Sequence, residues 1–481
     1  MNKDKPAERD RTRIDIETES RRERLVLIVT LALPALAEGL LTSLTSIVDM
    51  MMVGGLGTEA INAVGLCMQP KFIMLASFMA LGVGTTALAA RFKGARDKDG
   101  ADSVFNQSLL LSAALVLLLC AVMLAVKTPL MRFIAGSELS GTSVKWGGEY
   151  FFIQIVGFPT AAVSFTITAA LRGVGNTRAS FYANGIANVV NVALNYCLIT
   201  GKLGFPALGV AGASIATVAG QGVGLLVLVG IVLRGRDYVR FSARKLKKPD
   251  FDMIRRIVRV GVPALGEQAA MRIGMLAFTM IVTRLGDNEY SAHMIAINIQ
   301  SLSFAPGQAF GAAATTLMGQ CLGRTRPDLS RVYVNATQKI ALGVSLAVAA
   351  LLFFGGRAIA GMYITEPSAG LSAAELAAET AKNAAVVVLT ARMLKIIALS
   401  NPFSNARFIG LAALRGAGDS KFAAVVTFVT VIFLRTVLSF LLTLAGLGLD
   451  GVWIALASDG VVAFFLAQGR YRRGKWAEIE V

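Results

Sequence analysis

Twelve apolar segments, each long enough to cross a lipid bilayer, follow one another along this chain. They lie at about residues 25–53, 67–90, 104–127, 149–170, 179–199, 208–233, 257–283, 290–322, 332–354, 384–412, 421–445 and 450–469. With 55% hydrophobic residues and a mean hydropathy of +0.64, a chain of 481 residues is too apolar for a soluble protein of this size. We therefore predict an all-α polytopic membrane protein with twelve transmembrane helices.

The second half of the chain repeats the first. The segment Pro34-Ala-Leu-Ala-Glu38 recurs 229 positions later as Pro263-Ala-Leu-Gly-Glu267. Two further pairs follow in the same order, first ALRGVGNTRAS and ALRGAGDSKFA, then LGVAGASIA and LGLDGVWIA. Because both halves keep one order of elements, the repeat is a parallel internal repeat. It predicts two six-helix lobes, an N-terminal lobe at residues 25–233 and a C-terminal lobe at residues 257–470.

The positive charge of the chain is concentrated on one side of the predicted spans. The formal net charge is +17. About 32 of the 47 lysines and arginines lie in segments that twelve spans place on one side, and about seven lie in the opposite loops. By the positive-inside rule we predict a multi-pass protein of the cytoplasmic (inner) membrane with both termini cytoplasmic. This distribution accounts for the charge, so we predict no nucleic-acid partner.

Three segments lie outside the predicted lobes. Residues 1–24 form a charged cytoplasmic tail that lacks the apolar run and cleavage site of a signal peptide. Residues 234–256 form a basic cytoplasmic linker, which either contacts anionic lipid headgroups or only sets the topology. Residues 471–481 form a second cytoplasmic tail.

The first apolar segment carries a polar stripe. Glu38, Thr42, Thr45 and Asp49 lie at i, i+4, i+7 and i+11, within about 60° of one helix face. A carboxylate inside the hydrocarbon layer costs several kcal/mol unless it faces a cavity or a partner. Asp49 therefore indicates an ion, proton or substrate site, and the alternative is a structural hydrogen bond between helices.

The fifth segment carries a second stripe with the same spacing, made by Asn184, Asn188, Asn191 and Asn195. Asparagine suits a lipid-facing position poorly, so this face is predicted to point inward. The four amides either join neighbouring helices or line a wet cavity with Asp49 and tune its carboxylate by hydrogen bonding.

The second half lacks both stripes. At the 229-residue offset, Thr42, Thr45 and Asp49 become Met271, Gly274 and Phe278, so we expect any coupling chemistry in the first half. The seventh segment keeps Glu267 and adds Gln268 and Arg272, which we predict to line the cavity as well. We expect an acid from another helix to neutralise Arg272, and we expect His293 to lie at the membrane interface.

The sequence argues against an enzyme. Four cysteines and one histidine form no metal or disulfide spacing, and no HExxH motif, nucleophile elbow, P-loop or paired aspartate-rich motif is present. We predict no cofactor other than a coupling ion. The two RG-x-G-[ND]-[TS]-[RK] motifs, which contain Arg172 and Arg415, are interpreted as structural turns, with Asn176 or Asp419 capping the next helix.

The chain resembles the multidrug and toxic compound extrusion (MATE) transporters from about residue 25 to 470. The matching motifs are VDMMMVGGLG, the two LRG turns, NVALNYCLI, GVAGASIAT, GVPALGEQ and TTLMGQCLG. The resemblance implies two six-helix lobes around a pseudo-twofold axis, a V-shaped cavity, and antiport of drug-like organic cations against Na+ or H+. It implies that Asp49 couples the cation, with Asn191, Asn195 and Thr217 beside it, and that Na+ at Asp49 is one alternative.

Two departures from the family bear on coupling. One prokaryotic branch has an aspartate where this chain has Asn195, so the coupling ion stays open between H+ and Na+. A second branch has a glutamate where this chain has Met271, and it has an aspartate in segment 10, where this chain has no acid from 383 to 414. A cation site in the second lobe is therefore expected to be absent. Glu267 resembles the arrangement in the DNA-damage-inducible branch.

Together these observations predict a secondary active antiporter that exports cationic or amphipathic drug-like compounds in exchange for H+ or Na+. The expected partners are small organic cations or amphipathic substrates and membrane lipids, and the protein is expected to be a monomer. The alternative is a lipid-linked precursor flippase of the same superfamily, which needs a more cationic cavity to hold pyrophosphate. The basic residues inside the spans are few, chiefly Arg272, Arg392, Lys395, Arg407 and Arg435.

Overall fold

A computed structural model describes residues 20–135, 141–235, 237–363 and 372–479. The regular structure in these ranges is helical throughout. The α-helices are α1 (Arg21–Gly54), α2 (Thr58–Gly94), α3 (Lys98–Ala135), α4 (Gly141–Gly173), α5 (Thr177–Thr200), α6 (Gly209–Leu233), α7 (Ala243–Lys247), α8 (Phe251–Thr283), α9 (Asp287–Gly323), α10 (Pro327–Gly361), α11 (Ala373–Gly416), α12 (Ser420–Thr427), α13 (Thr436–Leu442) and α14 (Gly448–Arg473). The π-helical stretch Phe428–Arg435 joins α12 to α13, and the segment Thr443–Leu447, in which Gly446 leaves helical geometry, joins α13 to α14.

Eleven of the twelve predicted spans each lie within one α-helix, to within a residue, and the span at 421–445 runs through α12, α13 and the segments that follow each of them. Several helices exceed the predicted spans, and α11 begins at Ala373 because Ser372 and Glu375 form a capping box there. By length and apolar composition, nine stretches of the described helices qualify as membrane spans. The α5 and α9 helices are not among the nine, and the row of asparagines in α5 lowers its hydropathy. The count is also lower because Ser420–Arg473 counts once although it holds two predicted spans, which part at Gly446, where the backbone leaves helical geometry (φ 85°, ψ 6°).

The helix contacts between the two lobes come in equivalent pairs, as expected for two lobes related by a pseudo-twofold axis. The α2 helix of the first lobe packs on α8, and its counterpart α9 packs on α1. The backbones approach closely at two glycines. A Cβ on Gly94 would lie 2.0 Å from the Gln320 carbonyl oxygen, and one on Gly323 would lie 1.9 Å from the Arg91 carbonyl oxygen. We call this contact the glycine seam, residues 91–94 of α2 and 320–323 of α9.

The linker between the lobes is docked on α3. Asn106 donates a hydrogen bond to the Arg240 carbonyl at 3.0 Å and accepts one from the Ser242 amide at 2.9 Å. Gln107 donates to the carbonyls of Lys245 and Lys248, each at 2.9 Å. These four contacts satisfy backbone groups of an irregular segment. They hold the described part of the linker against the first lobe.

Candidate cation site and central cavity

Asp49 lies where α1 packs against α5. The Asn195 side-chain amide donates a hydrogen bond to Asp49 Oδ1 at 2.6 Å. The oxygen and nitrogen of a side-chain amide are assigned from the hydrogen bonds that they form. For Asn191, the orientation that gives both atoms a partner directs the nitrogen toward Asp49. Its nitrogen then donates to Asp49 Oδ1 at 2.9 Å and Oδ2 at 3.2 Å, and its oxygen accepts from the Thr217 amide at 3.2 Å. We call Asp49, Asn191, Asn195 and Thr217 the Asp49 site.

One oxygen of the Asp49 site has no partner. Asn195 Oδ1 is buried and accepts no hydrogen bond within the described part of the chain. The Thr217 hydroxyl donates to the Ala213 carbonyl, which leaves its lone pairs available. A carboxylate, an amide oxygen and a hydroxyl are hard oxygen ligands of the kind that bind Na+, and the carboxylate alone can hold a proton. The four residues therefore fit either coupling ion.

Lys71 of α2 is a neighbour of Asp49 that sequence reasoning missed. Its ammonium group lies close enough to interact electrostatically with the Asp49 carboxylate and with Cys67, one turn before it on α2. The signal was present, because Lys71 is a lone cation inside the second apolar segment, but its partner became visible only from the packing of α1 and α2.

The polar stripe of α1 divides into two separate sites. Glu38 accepts hydrogen bonds from Asn184 at 2.5 Å and from Arg172 Nη2 at 2.7 Å, so it does not join the Asp49 site. Both asparagine contacts join residues 146 apart in sequence, because α1 and α5 run parallel with one register. The predicted stripes on α1 and α5 therefore face each other.

The remaining stripe residues contribute less. The Thr42 hydroxyl donates to the carbonyl of Glu38 in its own helix, and the Thr45 side chain forms no hydrogen bond with the described residues. The Asn188 amide nitrogen is buried without a partner in the described part of the chain.

The second lobe repeats the ion pair of the first. Arg415 Nη1 donates to both carboxylate oxygens of Glu267, at 2.8 and 3.0 Å, and Thr427 donates to the same carboxylate at 3.3 Å. Glu38 and Glu267 are repeat equivalents, and so are Arg172 and Arg415. The LRG turns thus supply one arginine to each lobe, a role that the interpretation as structural turns missed. Of the two predicted caps, Asn176 accepts from the Ala179 amide, whereas Asp419 instead accepts from Arg470 at 2.8 Å.

Two predictions for the second lobe were wrong. Arg272 forms no ion pair within the described residues; its guanidinium lies 4.1 Å from the ring centroid of Phe72 on α2. His293 is fully buried instead of interfacial, between Phe278 and Trp453 at ring distances of 5.3 and 5.5 Å. Aromatic neighbours on other helices decided both placements, and sequence spacing does not show them.

A cavity of about 340 Å³ lies between the lobes. Its walls come from α2 and α4 of the first lobe and from α8, α9, α11 and α12 of the second. Glu267 and Gln268 line it as predicted, together with Arg172, Arg407 and Arg415. Asp49 is not among its lining residues, and neither are the other residues predicted to line a cavity, Glu38, Thr42, Thr45, Asn184, Asn188 and Arg272. We call this space the central cavity.

A buried triad lies behind one wall of the central cavity. Asp459 of α14 accepts hydrogen bonds from Arg407 Nη1 at 3.2 Å and from Arg435 Nε at 3.1 Å. Arg435 ends the π-helical stretch Phe428–Arg435, whose wider turns change the register of side chains relative to an α-helix. Sequence reasoning noted both arginines but missed Asp459, which lies in a different apolar segment.

The described helices and these sites define a polytopic membrane protein with two similar lobes around a cavity. The MatE family model matches residues 34–197 and 263–441, and the chain belongs to this family. A probable multidrug resistance protein NorM of Thermotoga maritima is 27% identical over 453 residues, which cover 93% of this chain and 92% of that protein. The multidrug resistance protein PmpM of Pseudomonas aeruginosa is 28% identical over 415 residues, or 84% and 81% of the two chains.

The fold is also similar to solved structures. An outward-facing structure of a multidrug resistance MATE family transporter of the MOP superfamily matches with a TM-score of 0.84 and 25% identity, over 95% of this chain and 100% of that one. The predicted fold class of twelve transmembrane helices in two lobes is confirmed, and the protein is a MATE-type transporter.

Proposed function

We propose that the protein is a secondary active antiporter that exports cationic or amphipathic drug-like compounds in exchange for H+ or Na+. The observation that carries this proposal is the Asp49 carboxylate, held inside an apolar helix bundle by Asn195 and Asn191 next to an unpaired amide oxygen. The names of the multidrug resistance relatives support export of small compounds.

The chemistry of the Asp49 site suits alternation between two states. With no ion bound, the carboxylate is stabilised by the two asparagine amides and by the nearby Lys71 ammonium. A proton or Na+ neutralises it, which changes the hydrogen bonds between α1 and α5. A change in these hydrogen bonds alters how α1 packs on α5 within the first lobe. The α1 helix also contacts α9 of the other lobe. The packing thus connects the ion site to the lobe interface.

The membrane potential can drive such a cycle. A potential of 100 mV supplies about 2.3 kcal/mol per charge moved. That energy shifts a binding equilibrium by nearly 50-fold, at about 1.4 kcal/mol per decade.

Transport by proteoliposomes tests the proposal. One fluorescent cationic and one fluorescent anionic amphiphile are loaded, and export is followed under an imposed pH or Na+ gradient for the native chain and for Asp49→Asn. We expect gradient-driven export of at least one dye by the native chain and none by Asp49→Asn. The gradient that drives export, pH or Na+, identifies the coupling ion. The matched control is Asp450→Asn, which removes a carboxylate from the first turn of α14 and should transport normally. Equal export by native and Asp49→Asn protein would contradict the proposal.

A second candidate function, a lipid-linked precursor flippase, gains one specific observation. Three arginines line the central cavity, more than the sequence alone indicated. Binding of a lipid pyrophosphate by the purified protein, together with dye export that no gradient drives, would favour the flippase.

A further inference from the structure

The central cavity has an excess of positive charge. Arg172, Arg407 and Arg415 line it, and Glu267 is the acid among its lining residues. The carboxylates bonded to these arginines are Glu38, Asp459 and Glu267, but Asp459 also binds Arg435. Among the residues that the structure describes, the four arginines therefore share three carboxylates, and one positive charge in this group has no acid of its own.

The arginines also have unused hydrogen-bond donors. Arg172 binds both oxygens of Glu38 through Nη2 alone, and Arg415 binds both oxygens of Glu267 through Nη1 alone. Within the described part of the chain, the Nε atoms of Arg172 and Arg407 are buried and bond nothing. A guanidinium presents its nitrogens as a flat fork that fits a carboxylate or phosphate, and here part of each fork is left over.

A positive charge without its own acid beside the central cavity lowers the stability of the fold unless a bound anion balances it. A buried charge without a partner destabilises a fold by several kcal/mol, and a buried donor without an acceptor adds to this. Arg407 is only 5% exposed. An anion in the central cavity would supply the missing charge and would accept hydrogen bonds from the arginine nitrogens that reach the cavity.

Much of the remaining wall is apolar, although Gln268, Gln308 and four threonines also line it. Met79, Val83 and Phe165 of the first lobe face the cavity together with Met271, Phe408 and Leu411 of the second. These side chains suit a hydrocarbon or aromatic body and offer an ion no hydrogen bonds.

We propose that the central cavity binds amphipathic compounds through an anionic head group, a carboxylate or a phosphate, held by Arg172, Arg407 and Arg415. This inference rests on the proposed function and narrows it, because it selects amphipathic anions or zwitterions over simple organic cations. The substrate head and the coupling cation then occupy different places, the head in the central cavity and the cation at the Asp49 site.

Binding to the protein in phosphatidylcholine nanodiscs tests the assignment. Three pyrene probes share one apolar body and carry a carboxylate, a methyl ester or an ammonium group. Fluorescence anisotropy above that of empty nanodiscs reports binding. We expect the carboxylate probe to bind about tenfold or more tightly than the ammonium probe, because one charge-assisted contact changes sign. Equal or tighter binding of the ammonium probe would overturn the proposal.

Variants show whether the arginines are responsible. Arg407→Gln removes the charge and should abolish the preference for the carboxylate probe. Arg415→Lys keeps the charge but loses the planar fork, so it should weaken the carboxylate probe several-fold and spare the methyl ester. If Arg407→Gln does not fold, Arg415→Lys provides the test in its place. Arg392→Gln is the control, because Arg392 pairs with Asp450 away from the cavity. An unchanged preference in Arg415→Lys and in a folded Arg407→Gln would reject the assignment.

Two further arms identify the source of the anion. Nanodiscs with phosphatidylglycerol weaken carboxylate-probe binding if a lipid headgroup enters the cavity, and inorganic phosphate weakens it if the head group alone suffices. Both results support the anionic site, and competition that persists equally in Arg407→Gln contradicts it. Asp49→Asn should keep the probe preference. If it does so while no gradient drives export in the native chain, the anion site stands and the antiporter proposal fails.

Discussion

Glu38 and Glu267, repeat equivalents in the two lobes, each accept both hydrogen bonds of a single arginine nitrogen from the LRG turn of their own lobe. The distances are 2.7 Å for both oxygens of Glu38 and 2.8 and 3.0 Å for those of Glu267. The duplication thus preserved an ion pair whose two members lie on different helices, although the surrounding residues diverged.

The ion pair in the second lobe should be strongly coupled. Glu267→Gln leaves Arg415 without its carboxylate in a mostly buried place, and we expect it to cost about 1–3 kcal/mol of stability. The double variant Glu267→Gln with Arg415→Gln removes both charges and should recover more than half of this loss. Thermal unfolding of the native chain, of Glu267→Gln, of Arg415→Gln and of the double variant in one detergent measures the coupling. A double variant no more stable than Glu267→Gln would show that the pair is not the cause.

The glycine seam should reject even one methyl group. Gly323→Ala places a Cβ against the Arg91 carbonyl, so the lobes must separate there, at an expected cost of about 1–3 kcal/mol. Gly343 of α10 has open space around it, and Gly343→Ala should be neutral or stabilise by about 0.5–1 kcal/mol. Spin labels on α2 and α9 would report a longer distance in Gly323→Ala alone. Unchanged distances and stability would contradict the close contact.

The sequence predicted the helices and the two polar stripes because hydropathy and spacing are properties of a single helix. It left open whether the asparagines of α5 bond Asp49 or other helices, because spacing along one helix does not show which helix its polar face meets. It could not supply Asp459 for Arg407, or Phe72 for Arg272, because helix rotation and packing choose partners on other helices. His293 was misplaced for the same reason, since its aromatic neighbours come from α8 and α14.

His293 should contribute nothing to the pH dependence of transport. Both ring nitrogens lack hydrogen-bond partners in the described part of the chain, and the ring packs among aromatic side chains. His293→Leu removes two buried unsatisfied atoms, so we expect a gain of about 1 kcal/mol in stability and an unchanged pH profile of transport. Transport rates of both proteins across pH 5 to 8 make the comparison. A shifted profile in His293→Leu would assign a proton-carrying role to the histidine.

Asp237 in the linker should make stability depend on pH. Burial raises the pKa of the Asp237 carboxyl above its ordinary value of 3.8, and the Asn176 hydrogen bond and the Lys93 charge oppose this only in part. The folded state therefore binds the proton more tightly than the unfolded chain. Its contribution to stability is full below pH 3.8 and is lost as the pH rises through the folded pKa.

The measurement compares thermal unfolding of the native chain and Asp237→Asn from pH 4 to 7. The variant stays neutral, so its advantage over the native chain should grow with pH. Asp252→Asn removes an exposed carboxylate and is the control. An advantage of Asp237→Asn that is constant with pH would mean that ionisation of Asp237 is not its source.

A second carboxylate should change the Asp49 site. Because Asn195 lies 2.6 Å from Asp49 Oδ1, Asn195→Asp places two carboxylates in contact, and their repulsion favours a bound cation or a shared proton. We expect NaCl to raise the melting temperature of Asn195→Asp more than that of the native chain, relative to choline chloride. Asn188→Asp, on the same helix but outside the site, should not acquire this effect. Equal responses of the two variants would argue against a local site.

The docked linker restricts where the two lobes can rotate against each other. Gln107 of α3 binds the linker as far as Asp250, whose amide donates to Gln107 Oε1 at 3.2 Å, and α8 begins at the next residue. The segment that joins the lobes is therefore long in sequence, but its hydrogen bonds to α3 continue as far as Asp250, the last residue before α8. A rocking motion must be absorbed by the backbone torsions at the junction of Asp250 and Phe251, or it must first detach the linker from α3. The whole connection between α6 and α8 thus acts as a single hinge point.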